Sequence, residues 1–284
     1  MTPVTLPIHA DIHLHTKHSH GIGTTREMYE AAKSRGLTII GFSEHSPRPE
    51  GYTYPQDYQE QLNKTYSQYI QEVIDLRTEA ACEGVEVLLG VEFDFIPARL
   101  DFARQFCAAY PYDYIIGGLH FQGTWGFDGP AEEWLPIEQE ERFALYDTYY
   151  EDLCQLAEAK LFNVVAHPDL IKIHSKDDFT AWLTRPTSIA RVTKALTAIR
   201  DNGLVMEVSS AGLRKPCQEI YPGPVIMQLA ATLDVPISFG SDAHCPNTPA
   251  AYFDILAQYA ARFGYTTSTI FAHRRPRPIP FTAL

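Results

Sequence analysis

The stretch Asp11–Gly23 reads DIHLHTKHSHGIG and holds four imidazoles, His13, His15, His18 and His20. His13 and His15 are two residues apart in a segment with strand character, so both side chains leave the same face. Two imidazoles on one face can chelate a single metal ion. Asp242 and His244 repeat the spacing in SDAH, near the other end of the chain. Imidazole and carboxylate donors without thiolate suit Zn, Fe or Mn, whereas Mg and Ca want more oxygen ligands. A glutamate such as Glu92, in GVEF, has two oxygens and can bridge two ions.

Such donors work only if the chain brings them together. Seven segments read as strands: ADIHLHT, LTIIGFSEH, VEVLLGVEF, DYIIGGLHF, LFNVVAHP, LVMEVSS and VPISFGSDAH. Their ends carry, in order, His13 and His15, then Glu44 and His45, then Glu92, His120 and His167. The sixth carries Glu207, and the seventh leads into Asp242 and His244. A single histidine after a strand is ordinarily a satisfied polar residue. Imidazoles and acids at the same end of successive strands are not explained that way. In a parallel α/β barrel those ends converge on one face, where active sites sit.

Helical patterns separate the strands. TTREMYEAAKSRG opens with Thr24 and Glu27 at capping-box spacing and closes on Gly36, the residue type favoured just past a helix end. Further helices are predicted over 57–83, in ARLDFARQFCAAY, over 138–160, and in SIARVTKALTAIRDNG, GPVIMQLAATLD and PAAYFDILAQYAARFG. GTWGFDGP reads as a loop, and HRRPRPIPF as a proline-rich tail laid over the surface. The alternation predicts a parallel sheet with right-handed crossovers. About seven units favour a barrel, with an open sheet as the alternative. The length of 284 residues suits one such domain.

Composition narrows the function. A hydrophobic content of 45% supports a large core. The formal charge of -12 argues against a nucleic-acid surface, which needs clustered Lys and Arg. Such a field would not repel a small cationic substrate. The cysteines, Cys82, Cys107, Cys154, Cys217 and Cys245, are odd in number and form no C-x-x-C pair, against a disulfide scaffold or thiolate zinc site. MTPVTLPIHADIHLH lacks the pattern of a signal peptide, and no apolar run reaches membrane-spanning length. The expectation is a soluble, cytoplasmic protein. His9 and His273 read as surface residues.

The motifs DIHLHT…HG, FSEH, GVEFDF, DYIIGGLHF, VVAHPDL and SFGSDAH, in this order, resemble the polymerase-and-histidinol-phosphatase (PHP) superfamily over nearly the whole chain. EVSSAGLRKPCQEIYP and HPDLIKIH are similar to stretches of its stand-alone histidinol-phosphate phosphatases. The resemblance implies a single-domain α/β fold over residues 1–284, a distorted (β/α)7 TIM-like barrel with three divalent metal ions at its mouth. It implies His13, His15, Glu92 and Asp242 as ligands of one ion. Glu92 would bridge to a second ion held by His120 and His167, and His20, His45 and His244 would hold the third. The HG pair favours His20 over His18. Asp11 and Glu44 resemble outer positions that orient neighbouring imidazoles.

A cluster of divalent ions suits phosphate monoester hydrolysis. A bound metal lowers the pKa of water from 15.7 to roughly 7, and a hydroxide between two ions can attack phosphorus in line. Transition-state stabilisation beyond about 20 kcal/mol is demanded, so several cations are in order. Arg214 and Lys215, in SAGLRKP, follow the sixth strand, and the planar fork of Arg214 suits phosphate. Lys172 and His174 follow the fifth strand and are expected to line the substrate pocket. Asp242 or a bound water would protonate the leaving alkoxide. The resemblance implies L-histidinol phosphate as substrate, in histidine biosynthesis. Its ammonium group could meet an acid such as Glu207 or Asp94. Trp125, Phe121 or Tyr221 could stack on its imidazole, but ordinary loop packing is the preferred reading of these aromatics. The alternatives are another PHP phosphoesterase, acting on a small phosphodiester or nucleotide, and a metal-free scaffold.

Overall fold

The computed structural model describes residues 7–52 and 54–282. Residues 1–6 of the N-terminal stretch therefore lie outside the described residues. In chain order the elements are β1 (Ala10–Leu14), α1 (Thr25–Ser34), β2 (Ile39–Phe42), α2 (Gln56–Cys82), β3 (Glu86–Leu89) and β4 (Glu92–Asp94). Then come α3 (Leu100–Cys107), β5 (Ile116–Gly118), β6 (Phe121–Gln122), β7 (Trp125–Gly126), α4 (Gln139–Glu158), β8 (Val164–Val165) and α5 (Lys176–Leu183). The chain ends with α6 (Pro186–Asp201), β9 (Val205–Ser209), α7 (Pro224–Thr232), β10 (Ile237–Gly240), α8 (Phe253–Arg262), β11 (Thr267–Ala272) and β12 (Arg275–Pro280).

The fold is α/β, with two parallel sheets. One has the order β1-β2-β3 and the other β10-β9-β8-β5-β4. They are joined at two places, between the β1 and β10 edges and where the residues after β2 meet the start of β4. Leu14 bridges to Ala243, with His15 N–H donating to the Ala243 carbonyl at 2.8 Å. His45 bridges to Glu92, with Ser46 N–H donating to the Glu92 carbonyl at 2.9 Å. Among the described residues, no helix is long and apolar enough to cross a membrane.

Local chemistry accounts for the elements. In α1, the Thr24 hydroxyl accepts from Glu27 N–H while the Glu27 carboxylate accepts from Thr24 N–H, a closed capping box worth about 1 kcal/mol. The helix then buries Met28, Tyr29 and Ala32 on one face. Between the sheets lies a small apolar cluster with Ala10, Ile12, Leu88, Tyr114 and Ile116. The Tyr114 hydroxyl donates to the Ile12 carbonyl at 2.7 Å, with the Phe42 carbonyl 3.1 Å away.

The predicted third strand, VEVLLGVEF, is in fact two strands in different sheets. The break falls at Gly90, where a Cβ would lie 2.3 Å from the Tyr114 ring, so only glycine lets the chain turn past that side chain. The expected loop GTWGFDGP contributes to a small hairpin, β6 with β7. Helix α5 was not foreseen, and α8 begins at Phe253, later than predicted. The tail is not irregular: β11 and β12 form an antiparallel hairpin. Ile270 and Phe271 of β11 join the cluster between the sheets, so the hairpin closes the end of the interior opposite the histidines.

Candidate metal centre

Strand β1 places the first imidazoles. Between Asp11 and Leu14 its register against β2 slips by one residue. The extra residue lets Ile12 face the apolar interior while His13 and His15, beyond it, also face inward. Both are fully buried.

Glu92 sits at the middle. Its Oε2 lies 3.2 Å from His13 Nε2, 3.3 Å from His15 Nε2 and 3.1 Å from His45 Nδ1. Its Oε1 lies 3.0 Å from His167 Nε2 and 3.5 Å from His120 Nε2. Asp242 Oδ1 approaches from β10, 3.3 Å from His15 Nε2, 3.8 Å from His13 Nε2 and 3.4 Å from His244 Nδ1. Donor atoms fall within 4.8 Å of one another in three groups: His13, His15 and Asp242; Glu92, His120 and His167; and His15, His45 and His244. The His20 ring stacks on His244 at 4.3 Å and on His45 at 4.8 Å, beside the third group. His18 turns away, its Nε2 3.1 Å from Glu72 on α2.

These residues fit metal ions. His13 Nε2, both ring nitrogens of His15 and His45, and His244 Nε2 are buried without a hydrogen-bond partner. Stranded nitrogens cost roughly 1–3 kcal/mol each, and a cation would satisfy several at once. Charge is balanced in the same sense. Burial opposes ionisation of Glu92, but His13 and His45 outweigh it and hold the carboxyl well below its usual range. Asp242 is likewise low against burial, through His244, His15 and His13. Burial, then the charge of His15, pushes His20 down to about 4, and both also hold His45 and His244 well below the usual imidazole range. At neutral pH these three rings are neutral, the form a metal needs. His167 and Asp242 have positive φ of 22° and 51°, backbone strain at two of these positions.

A second layer holds the rings. Glu207 is fully buried, with Oε1 2.6 Å from His13 Nδ1 and Oε2 accepting from His167 N–H at 2.9 Å. Gly240 makes this possible: a Cβ there would lie 2.1 Å from Glu207 Oε1. Glu44 faces His15 Nδ1 at 3.4 Å and accepts from Thr16 N–H at 2.9 Å and His45 N–H at 3.0 Å. Asp94 lies 2.5 Å from His120 Nδ1. Asp11, expected to orient an imidazole, accepts the backbone N–H of His13 at 3.3 Å rather than its ring, and those of Ser241 at 3.0 Å and Ala250 at 2.9 Å, tying β1 to the loop after β10.

The centre opens into a cavity of about 570 Å³ lined by His20, His45, Glu92, His120, His167 and Asp242, and also by Arg48, Lys215, Asp128 and Glu133. Several expectations fail here. Lys172 does not line it: fully buried, it donates to Asp169 at 2.6 Å and Glu219 at 2.7 Å. His174 sits in a neighbouring cleft, its Nε2 2.8 Å from the Gly129 carbonyl. Arg214 donates to the Ser241 carbonyl at 2.6 Å and the Asp242 carbonyl at 3.2 Å and is not among the lining residues, whereas Lys215 is. Glu207 and Asp94 serve the rings, so neither is free to meet an ammonium group. Sequence reasoning missed Arg48. Its signal was the SPRPE stretch, an arginine fixed between two prolines directly after FSEH.

A family model described as PHP domain matches residues 11–211. The chain is 34% identical over 270 residues to a protein of Deinococcus radiodurans named probable histidinol-phosphatase, covering 94% of this chain and 98% of the relative. It is 28% identical over 262 residues to the histidinol-phosphatase of Bacillus subtilis, covering 82% and 92%. Its fold is similar to the crystal structure of histidinol phosphate phosphatase from Lactococcus lactis complexed with zinc, L-histidinol and phosphate, with a TM-score of 0.76 at 18% identity, covering 94% of this chain and 98% of that one.

Proposed function

The chain belongs to the PHP domain family, and from that premise we propose that it hydrolyses L-histidinol phosphate to L-histidinol and phosphate. The observation that carries this reading is the convergence of five imidazoles on the two oxygens of Glu92, in a cavity that Lys215, Asp128 and Glu133 also line.

In this reading the fold is a single domain over 1–284, a distorted (β/α)7 barrel closed where the two sheets meet, in a cytoplasmic enzyme. His13, His15, Glu92 and Asp242 hold one divalent ion. Glu92, His120 and His167 hold a second, and His20, His45 and His244 a third. When bound, such ions supply Lewis acidity, lowering the pKa of water and neutralising charge on the phosphoryl oxygens. The protein's own groups do the rest. Glu207 fixes the His13 tautomer by accepting from Nδ1, leaving Nε2 as the donor to metal. Asp242, kept ionised by its imidazole neighbours, accepts a hydrogen bond from the attacking water. Too weak a base to keep that proton, it relays it to the oxygen of the leaving alkoxide, so the proton lost by water ends on the alcohol. Lys215 offers a point charge to the phosphate. Asp128 and Glu133, which line the cavity, suit a cationic leaving group carrying ammonium and imidazole, and Glu133 is held by Trp125 Nε1, which donates to it at 2.6 Å.

Phosphate release from L-histidinol phosphate, measured before and after chelation, tests the reading. Turnover abolished by the chelator and restored by Zn, Mn or Fe is expected. A faster rate on a nucleoside monophosphate or a short oligonucleotide would replace histidinol phosphate as the substrate. No release from any of them, with no stoichiometric metal, would leave a scaffold.

A further inference from the structure

Arg48 belongs to no motif used above, yet it reaches both the metal centre and the pocket wall. Its Nε donates to Asp94 Oδ2 at 2.7 Å and its Nη2 to Asp94 Oδ1 at 3.1 Å, a two-pronged fork in which the arginine side chain is 10% exposed and the aspartate 2%. Asp94 Oδ1 is the atom that faces His120 Nδ1 at 2.5 Å. The guanidinium lies 3.4 Å above the Tyr54 ring and 4.8 Å from the Phe121 ring. Tyr54 belongs to the loop after β2, and Phe121 opens the β6–β7 hairpin. Pro47 and Pro49 fix the backbone on either side, which lowers the entropy lost on holding the arginine in place.

We infer that Arg48 is a positioning residue of the metal centre: its fork orients Asp94 so that Oδ1 meets His120 Nδ1, and its stacking ties both loops at the pocket mouth to that ring. A carboxylate rotates freely unless both oxygens are engaged. One oxygen of Asp94 must stay in the imidazole plane to fix the ring and its tautomer. A planar, bidentate partner enforces that orientation, whereas the single point charge of lysine does not. The inference rests on reading Glu92, His120 and His167 as one metal group.

The test follows zinc release from the zinc-loaded protein during titration with a chelator, with visible spectra of the cobalt-loaded protein in parallel. Arg48→Met is expected to release one equivalent of zinc at a ten- to hundred-fold lower chelator concentration than the parent, with the remaining equivalents unchanged and the cobalt spectrum altered. Arg48→Lys, which keeps the charge without the fork, is expected to recover only part of this loss. Unchanged zinc release and cobalt spectrum in Arg48→Met would overturn the inference, and full recovery in Arg48→Lys would reduce the fork to a charge. Should Arg48→Met fail to fold, Asp94→Asn keeps the volume and must release the same equivalent early; normal retention there overturns the inference too. None of these readouts uses substrate. A parent protein that holds metal but leaves histidinol phosphate intact would refute the proposed function and leave this inference standing.

Discussion

The carboxylate of Glu207 lies 2.6 Å from Nδ1 of His13, and its other oxygen accepts the backbone N–H of His167 at 2.9 Å. One buried acid on β9 thus sets the tautomer of a ring on β1 and the backbone of a strained residue after β8. Glu207→Gln keeps the shape but removes the charge that raises His13 well above the ordinary imidazole range against its burial. Metal affinity is expected to fall about ten- to hundred-fold, with kcat falling alongside at limiting metal. Metal analysis after dialysis against a weak chelator checks this; full retention would make Glu207 a packing residue only.

Arg214 holds the carbonyls of Ser241 and Asp242, while Lys215 faces the cavity. Arg214→Ala is therefore expected to lower kcat, by displacing Asp242, more than it raises KM. Lys215→Ala is expected to raise KM for the phosphate ester with a smaller change in kcat. Steady-state kinetics of both variants decide. The reverse pattern would return the phosphate grip to Arg214.

The metal-free protein is expected to be most stable near pH 6.5. Burial disfavours the charged form of His120, yet Asp94 raises it to about 9; His15, against the same penalty, is raised to about 10 by Asp242, Glu44 and Glu92. Between pH 6.5 and those values the native state binds more protons than the unfolded chain, so stability falls as pH rises. His20, lowered to about 4, works in the opposite sense: between pH 4 and 6.5 the unfolded chain binds more protons, and stability falls on acidification. Thermal melts of chelated protein from pH 4.5 to 9.5 should trace this dome. Zinc-loaded protein should lose the alkaline decline, because the metal takes the place of the protons. An identical profile with and without zinc would contradict the assignment of these rings to metal.

Lys172 is fully buried between Asp169 and Glu219, and it joins the loop after β8 to the loop after β9. Lys172→Met strands the buried Asp169 carboxylate. A loss of about 3–5 kcal/mol in unfolding free energy is expected by urea denaturation, whereas Lys215→Ala should be nearly neutral by the same measurement. A small loss for Lys172→Met would mean that water reaches the pair.

Much of the centre was legible in the chain. His15, His120, His167 and Asp242 follow strands and His13 lies within one, and period-two spacing tells that His13 and His15 share a face; Glu92, read as a strand end, instead opens β4. The carboxylates were harder to place. Glu207 and Asp94 look like any polar strand residue, and their partners lie 194 and 26 residues away, a separation no local pattern encodes. The basic residues misled for the same reason. Lys172 follows a strand as a pocket residue would, but Asp169 three residues earlier and Glu219 on another loop draw it inward. The split of the third strand at Gly90 depends on Tyr114, and the tail hairpin on the cluster that Ile270 and Phe271 complete. Both are set by distant packing.

The closing hairpin also bears on self-association. In β12, Pro276, Pro278 and Pro280 face Phe271, Thr269 and Thr267, alternating with Arg275, Arg277 and Ile279. A proline has no N–H to give, so the ladder with β11 must run through the intervening residues. The outer rim of β12 then offers carbonyls but no amide donors to an incoming strand from another molecule. An exposed edge of this kind, flanked by two arginines, is built to stay unpaired and so guards the chain against fibrous growth.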